Sequence, residues 1–169
     1  MNEVNTCRDI SELTPNAQKA CTLFLSECKA QGLNVLITET YRSQERQDYL
    51  YAQGRTTKGQ KVTWTRNSRH TSRRAWDICP NVKGQEYSNT TFFRRCGEIA
   101  RGLGIIWGGD WSTPDMPHFE IPENWRGKNV ILHFGAVDYE SKVWVNGKLC
   151  GSHEGGYCAF SFDITDKLT

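Results

Sequence analysis

Helix-forming patterns stop at Pro122, and this break constrains the fold of the chain more than any other feature. Upstream, three stretches carry apolar residues at helical spacing between start and stop signals; downstream, every apolar stretch alternates as a strand does. One uniform set of layers does not produce such a pattern. The expected architecture is a small α+β domain over residues 1–122 followed by an all-β tail over 123–169.

Local signals give the upstream elements their places. In "LTPNAQKACTLFLSECKAQGL", Thr14 suits an N-cap and Pro15 the first helical position. Ala17, Ala20, Cys21, Phe24, Leu25 and Cys28 share one face, and Gly32 ends the helix. "NVLITETY" reads as a strand, and "SQERQDYLYAQGR" as a second helix capped by Ser43. Residues 56–69 are polar and aperiodic, a long loop of the kind that carries function. "RAWDI" is strand-like, and a third helix from Asn89 to Leu103 turns Phe93, Cys96, Ala100 and Leu103 inward. "IIW" and "PHFEI" are two further strands around the loop "GGDWSTPDM". In the tail, "NVILHFGAV", "SKVWVNGKL" and "AFSFDIT" are strands, and Asn146-Gly147 marks a two-residue hairpin.

No apolar run approaches the roughly 20 residues that span a bilayer, so no membrane span is expected. The polar start "MNEVNTCRDISEL" has no signal-peptide pattern, which predicts synthesis in the cytoplasm without an export signal of its own. Seven cysteines form no C-x-x-C pair and leave one over, which favours reduced structural thiols over a disulfide framework or a cysteine zinc site. Net charge is +2, yet residues 42–74 hold nine Lys or Arg against Glu45 and Asp48. That region reads either as a solvated face or as a contact for a polyanion such as a cell-wall polymer; no nucleic-acid motif accompanies it, and nucleic acid is not an expected partner.

Histidine is scarce, with four in the chain. "SRHTSRRAWDI" supplies His70 and Asp77, and "DMPHFE" supplies His118. Two imidazoles and a carboxylate suit a catalytic zinc, because three protein ligands leave a fourth position open. Asp115, three residues before His118, is a candidate general base; Glu120, on the same strand face as His118, is the alternative base or an orienting partner. Spacing alone leaves open that His70 is a loop histidine, Asp77 a turn residue and His118 a satisfied strand histidine.

"TYRSQERQDYLYAQGR", "SRHTSRRAWDI" and "LGIIWGGDWSTPDMPHFEI", in this order, resemble the zinc D,D-peptidases and L-alanyl-D-glutamate endopeptidases, the family of VanY-type carboxypeptidases and many phage endolysins. The resemblance covers about residues 10–122. The motif S-x-H-x-x-G-x-A-x-D falls on Ser68, His70, Ala75 and Asp77, and D-x-P-H-F on Asp115, Pro117, His118 and Phe119. It implies Zn2+ held by His70, Asp77 and His118, with Asp115 as base and Arg42 holding the scissile carbonyl oxygen. Ser68 and Trp111 are the implied substrate contacts, with Trp107 either a second cleft wall or a core residue. The implied substrate is the peptidoglycan peptide stem, cut between L-alanine and D-glutamate after holin-type release to the wall. A D,D-carboxypeptidase acting on D-Ala-D-Ala ends, or a non-catalytic wall- or carbohydrate-binding module, are the alternatives.

Arg73 stands where the motif has glycine; if the position needs positive φ, arginine costs about 1 kcal/mol there, so the loop is either rebuilt or the site impaired. The tail resembles a fragment of the N-terminal sugar-binding jelly roll of family 2 glycoside hydrolases, joined where both families can read "FEIP", a junction that fits a natural fusion, an engineered chimera or an assembly accident alike. The resemblance implies no glycosidase activity, because the catalytic barrel is missing, and gives His133 and His153 no ligand role.

Overall fold

A computed structural model of the chain describes residues 5–127 and 130–167. The first helix, α1 (Pro15–Ala30), starts at a proline that has no N–H to leave unpaired and whose φ already suits a helix. Thr14 holds the N-cap position, but its side chain caps nothing; its N–H instead donates to the carbonyl of Arg73 at 2.9 Å. Ala17, Ala20, Cys21, Phe24 and Cys28 form the buried stripe of α1, and Gly32 takes a φ of 74° just past its end. In α2 (Gln44–Ala52), Ser43 Oγ caps the first turn by accepting from Arg46 N at 3.2 Å. α3 (Thr90–Gly102) is capped by Asn89 and buries Phe92, Phe93, Cys96, Ile99 and Ala100.

Four short strands, β1 (Val35–Glu39), β2 (Ala75–Pro80), β3 (Ile106–Trp107) and β4 (His118–Glu120), form one sheet in the order β1-β2-β4-β3, with every neighbouring pair antiparallel. Alternation along the strands divides the residues between the two faces. Trp76, Ile78 and Phe119 enter the core, where Phe24 of α1 lies 4.8 Å from Phe119 and 6.1 Å from Trp76 between ring centroids. Asp77, His118 and Glu120 take the opposite face. Trp107 is a core residue, and its indole fills the space over Gly97 of α3, where an added Cβ would stand 2.2 Å from the ring.

This first unit ends at Trp125, three residues beyond the boundary expected from sequence. The reason is packing: Trp125 is 7% exposed, belongs to the same core, and donates its indole N–H to the carbonyl of Leu103 at 2.9 Å. The fold class is the expected one, an α+β unit and then a β-rich unit.

The second unit, from Arg126, contains β5 (Ile131–Phe134), β6 (Glu140–Val145), β7 (Lys148–Glu154) and β8 (Phe160–Asp163). They pair as two separate two-stranded antiparallel sheets, β5 with β8 and β6 with β7. The β6–β7 hairpin turns on Asn146 and Gly147, with φ of 49° and 75°, the doubly positive pair that a two-residue turn between twisted strands requires. Among its described residues, Ile164 is the buried hydrophobic one, while Ile131, Tyr139, Trp144, Leu149 and Tyr157 are exposed. His153 stacks on Phe160 at 4.0 Å between centroids.

Candidate metal centre and cleft

Strand register brings the two central groups together. Asp77 of β2 and His118 of β4 are direct antiparallel partners, so their side chains leave the sheet on the same face, away from the core. His70 arrives from the turn before β2. Ser68 Oγ accepts from His70 N at 3.3 Å, and Ser68 O accepts from both the N–H and the hydroxyl of Thr71, so this turn is bonded before it reaches the strand. Ser68 also lines the cleft, but its hydrogen bonds serve the turn.

Arg73 closes that turn with a φ of 60°, so the loop keeps the left-handed conformation for which the motif uses glycine. Its backbone N–H donates to His70 O at 3.1 Å, and its guanidinium lies 3.9 Å over the ring of Tyr41 and pairs with Glu12. These contacts offset the backbone cost, and His70 is in place.

The donor atoms converge. His70 Nε2 lies 3.1 Å from Asp77 Oδ1, His118 Nδ1 lies 3.2 Å from the same oxygen, and the two nitrogens are 3.2 Å apart. Each imidazole is steered by its other nitrogen: His70 Nδ1 meets the carbonyl of Thr40 at 2.6 Å, and His118 Nε2 meets Glu120 Oε2 at 3.0 Å. With those nitrogens acting as donors, the lone pairs of His70 Nε2 and His118 Nδ1 face a common point beside Asp77. Both histidines are buried, His70 to 1% exposure. Two nitrogens and one carboxylate oxygen within 4.8 Å of one another fit a divalent ion that tolerates tetrahedral N/O coordination, as zinc does.

Electrostatics within the cluster are coupled. Burial opposes ionisation of Asp77, but the two imidazoles and their hydrogen bonds outweigh it and hold the carboxyl well below its ordinary range. Burial likewise pulls the His118 pKa down, yet its hydrogen bonds to Asp77 and Glu120 prevail and raise it to about 9. Metal binding must displace that proton, so affinity should rise with pH.

Asp115 stands on the cleft wall, reached through a loop that folds back on Gly108. Asp115 N donates to Gly108 O at 2.9 Å, and a Cβ on Gly108 would come within 2.5 Å of Asp115 O, so a residue with a side chain cannot take that place without moving the loop. Desolvation, then the charge of Asp77, push the Asp115 carboxyl upward. Trp111 is 40% exposed and its ring centroid lies 5.0 Å from that of His118, a wall beside the cluster. Arg42 is buried. Its Nη1 donates to Gln47 at 2.7 Å and its Nη2 to Glu39 at 2.5 Å, and Nη2 lies 3.4 Å from Asp77 Oδ2. Glu39, Arg42, Trp111 and Asp115 line one cleft of about 1010 Å³ together with His70, Asp77 and His118.

Glu39, Thr40, Gln47 and Gly108 are site residues that the sequence reading missed. Glu39 is the register partner of Asp77 across a β-bulge, and Gln47 is the buried residue of α2. Neither carries a spacing signal. The basic stretch 42–74 is extensively paired: Arg42 and Arg46 with Glu39, Arg73 with Glu12, Arg74 with Glu123, and Arg69 within 3.8 Å of Glu120.

Residues 61–121 match the family described as D-alanyl-D-alanine carboxypeptidase. The peptidoglycan L-alanyl-D-glutamate endopeptidase CwlK of Bacillus subtilis strain 168 is 35% identical over 127 residues, which are 68% of this chain and 76% of that protein. The chain belongs to this peptidase family, and is a metallopeptidase. The L-Ala D-Glu endopeptidase ChiX of Serratia marcescens has the same fold, with a TM-score of 0.55 at 22% identity over 72% of this chain and 94% of that one. Residues 115–169 match the sugar-binding domain of family 2 glycosyl hydrolases. A β-galactosidase of Thermoanaerobacter pseudethanolicus is 49% identical over 51 residues, and this chain spans 7% of its length.

Proposed function

We propose that this chain is a zinc-dependent L-alanyl-D-glutamate endopeptidase acting on the peptide stem of peptidoglycan, with residues up to Trp125 as its catalytic domain. The observation that carries the reading is the convergence of His70 Nε2, Asp77 Oδ1 and His118 Nδ1, each steered by a second partner, in a cleft that Asp115 and Arg42 also line. CwlK, the relative matched over most of its length, is named for this bond. Bound zinc would supply Lewis-acid polarisation of the scissile carbonyl and lower the pKa of an attacking water.

The remaining work falls to side chains. Asp115, its carboxyl raised above the ordinary aspartate value by burial and by the charge of Asp77, accepts a proton from the attacking water and passes it to the leaving amine. Glu120 orients His118 through Nε2 and is held in that task, which favours Asp115 as the base. Arg42 contributes positive charge at the rim of the cluster, where negative charge develops on the carbonyl oxygen. Trp111 walls the cleft beside His118.

Mass spectrometry of digested, purified peptidoglycan tests the reading directly. New L-alanine carboxyl ends and D-glutamate amino ends are expected; release of terminal D-alanine alone would replace the endopeptidase with the D,D-carboxypeptidase. His118→Ala should lose both zinc and hydrolysis, measured by metal content and turnover. Asp115→Asn should keep zinc while kcat falls by about 10²–10⁴. Should Glu120→Gln produce that fall while Asp115→Asn does not, their roles exchange.

A further inference from the structure

One aromatic in the cleft has no part in the chemistry above. Trp64 lies in the loop between α2 and β2, 67% exposed, and lines the same cleft as His70, Asp77 and Trp111. The loop around it is anchored. Fully buried Gln47 donates through Nε2 to Thr65 O at 2.6 Å and to Thr63 Oγ1 at 3.3 Å, and Arg55 donates to Thr63 O at 3.0 Å. Gln44 adds a bond to Arg66 O at 3.2 Å. Backbone on each side of Trp64 is therefore tied down while two-thirds of its own surface stays exposed in the cleft. Two cations flank the ring, Arg55 at 5.7 Å and Lys61 at 5.6 Å from its centroid.

We infer that Trp64 seats the sugar ring to which the peptide stem is attached, so that the glycan next to the scissile bond is part of the substrate. This rests on the endopeptidase reading above. A pyranose offers a flat patch of C–H groups to an indole face, with hydroxyl and N-acetyl oxygens around its edge for a donor such as Lys61. The stem peptide has no comparably large apolar surface near the L-alanyl-D-glutamate bond, whereas the muramyl sugar is joined directly to that L-alanine. At the D-Ala-D-Ala end of the stem the sugar is several residues away and would find no use for Trp64. A polyanion is the less suitable occupant, because much of the basic stretch around the loop is already paired with acids or lies over Tyr51.

The test compares two substrates: the free stem peptide, and the same peptide carried on its disaccharide. Wild type is expected to prefer the disaccharide-linked form. Trp64→Ala should raise KM for that form by about 3- to 10-fold, as expected for loss of one aromatic contact, with kcat unchanged and the free peptide unaffected. Trp64→Phe should recover part of the difference. Equal losses on both substrates, or none on either, would overturn the inference while leaving the endopeptidase reading intact. So would a preference that survives in Trp64→Ala and disappears in high salt, which would assign the contact to a polyanion. Failure of wild type to cut the L-alanyl-D-glutamate bond in either substrate would overturn both readings.

Discussion

The second unit of this chain is richer in apolar residues than the first, yet it buries fewer of them. In the first, two helices bring Phe24, Phe93, Cys96 and their neighbours onto one face of a four-stranded sheet, and the other face is free to hold charged groups. In the second, two separate hairpin-like sheets leave Ile131, Trp144 and Leu149 in solvent, and Ile164 is the buried hydrophobic side chain among the described residues. Strand signals were equally clear in both. The lesson is that alternation specifies a strand, while burial needs a second layer of matching size. Helices α1 and α3 provide that layer in the first unit. In the second unit the two small sheets do meet, with His153 of β7 stacked on Phe160 of β8 and the Phe162 ring over Gly151, but layers of two strands each leave their facing residues only half-buried.

Core substitutions should separate the units most sharply. Trp76→Ala removes a fully buried indole and should destabilise the first unit by about 3–5 kcal/mol, whereas Trp144→Ala, on an exposed strand face, should change stability by no more than about 0.5 kcal/mol. Chemical denaturation measures both, followed by loss of turnover for the first unit and by far-ultraviolet circular dichroism of the whole chain for the second, and comparable effects would break the contrast.

A smaller effect concerns pH. In protein stripped of metal, His118 titrates near 9 when folded against 6.5 as its ordinary value. A raised histidine pKa stabilises the fold fully below 6.5, and the contribution is lost as pH climbs through 9. Metal-free protein should therefore lose stability between about pH 6.5 and 8.5, before buried Cys21, pushed up to about 12 from 9.0, adds in the same direction. Zinc should oppose the slope, because binding requires the deprotonated imidazole. Denaturation curves at the two ends of this range, with and without chelator, are the measurement; a flat metal-free profile would show that the Asp77–His118–Glu120 coupling is weak.

The smallest expected effect is that of removing the second unit. A chain ending at Gly127 keeps Trp125 and every residue of the cleft, so its turnover and metal content should equal those of the full chain. A chain ending at Asn124 should instead be destabilised by about 3–5 kcal/mol, the range for losing a buried tryptophan. If both truncated chains behave alike in a thermal melt, Trp125 is not the true end of the first unit.

Much of this protein was legible in its residues. Helix stripes, the Asn146-Gly147 turn and the change of texture after Pro122 follow from short-range periodicity, a property of neighbouring residues; spacing offered His70, Asp77, His118 and Asp115 only as candidates, and their roles were implied by the family resemblance. Other features depended on which distant segments meet. The pairing of Asp77 with His118 across β2 and β4, and of Asp77 with Glu39 across a bulge, is a register that no local pattern specifies. Burial of Gln47 beneath the Trp64 loop, the Thr40 carbonyl behind His70, and the extension of the core to Trp125 likewise come from tertiary packing. At position 73 the sequence by itself raised the question of positive φ; Tyr41 and Glu12, both distant in the chain, gave arginine the contacts that let the turn keep it. Local chemistry determined which groups were available, and long-range packing decided which of them face one another, because side-chain direction is local whereas proximity is set by the whole fold.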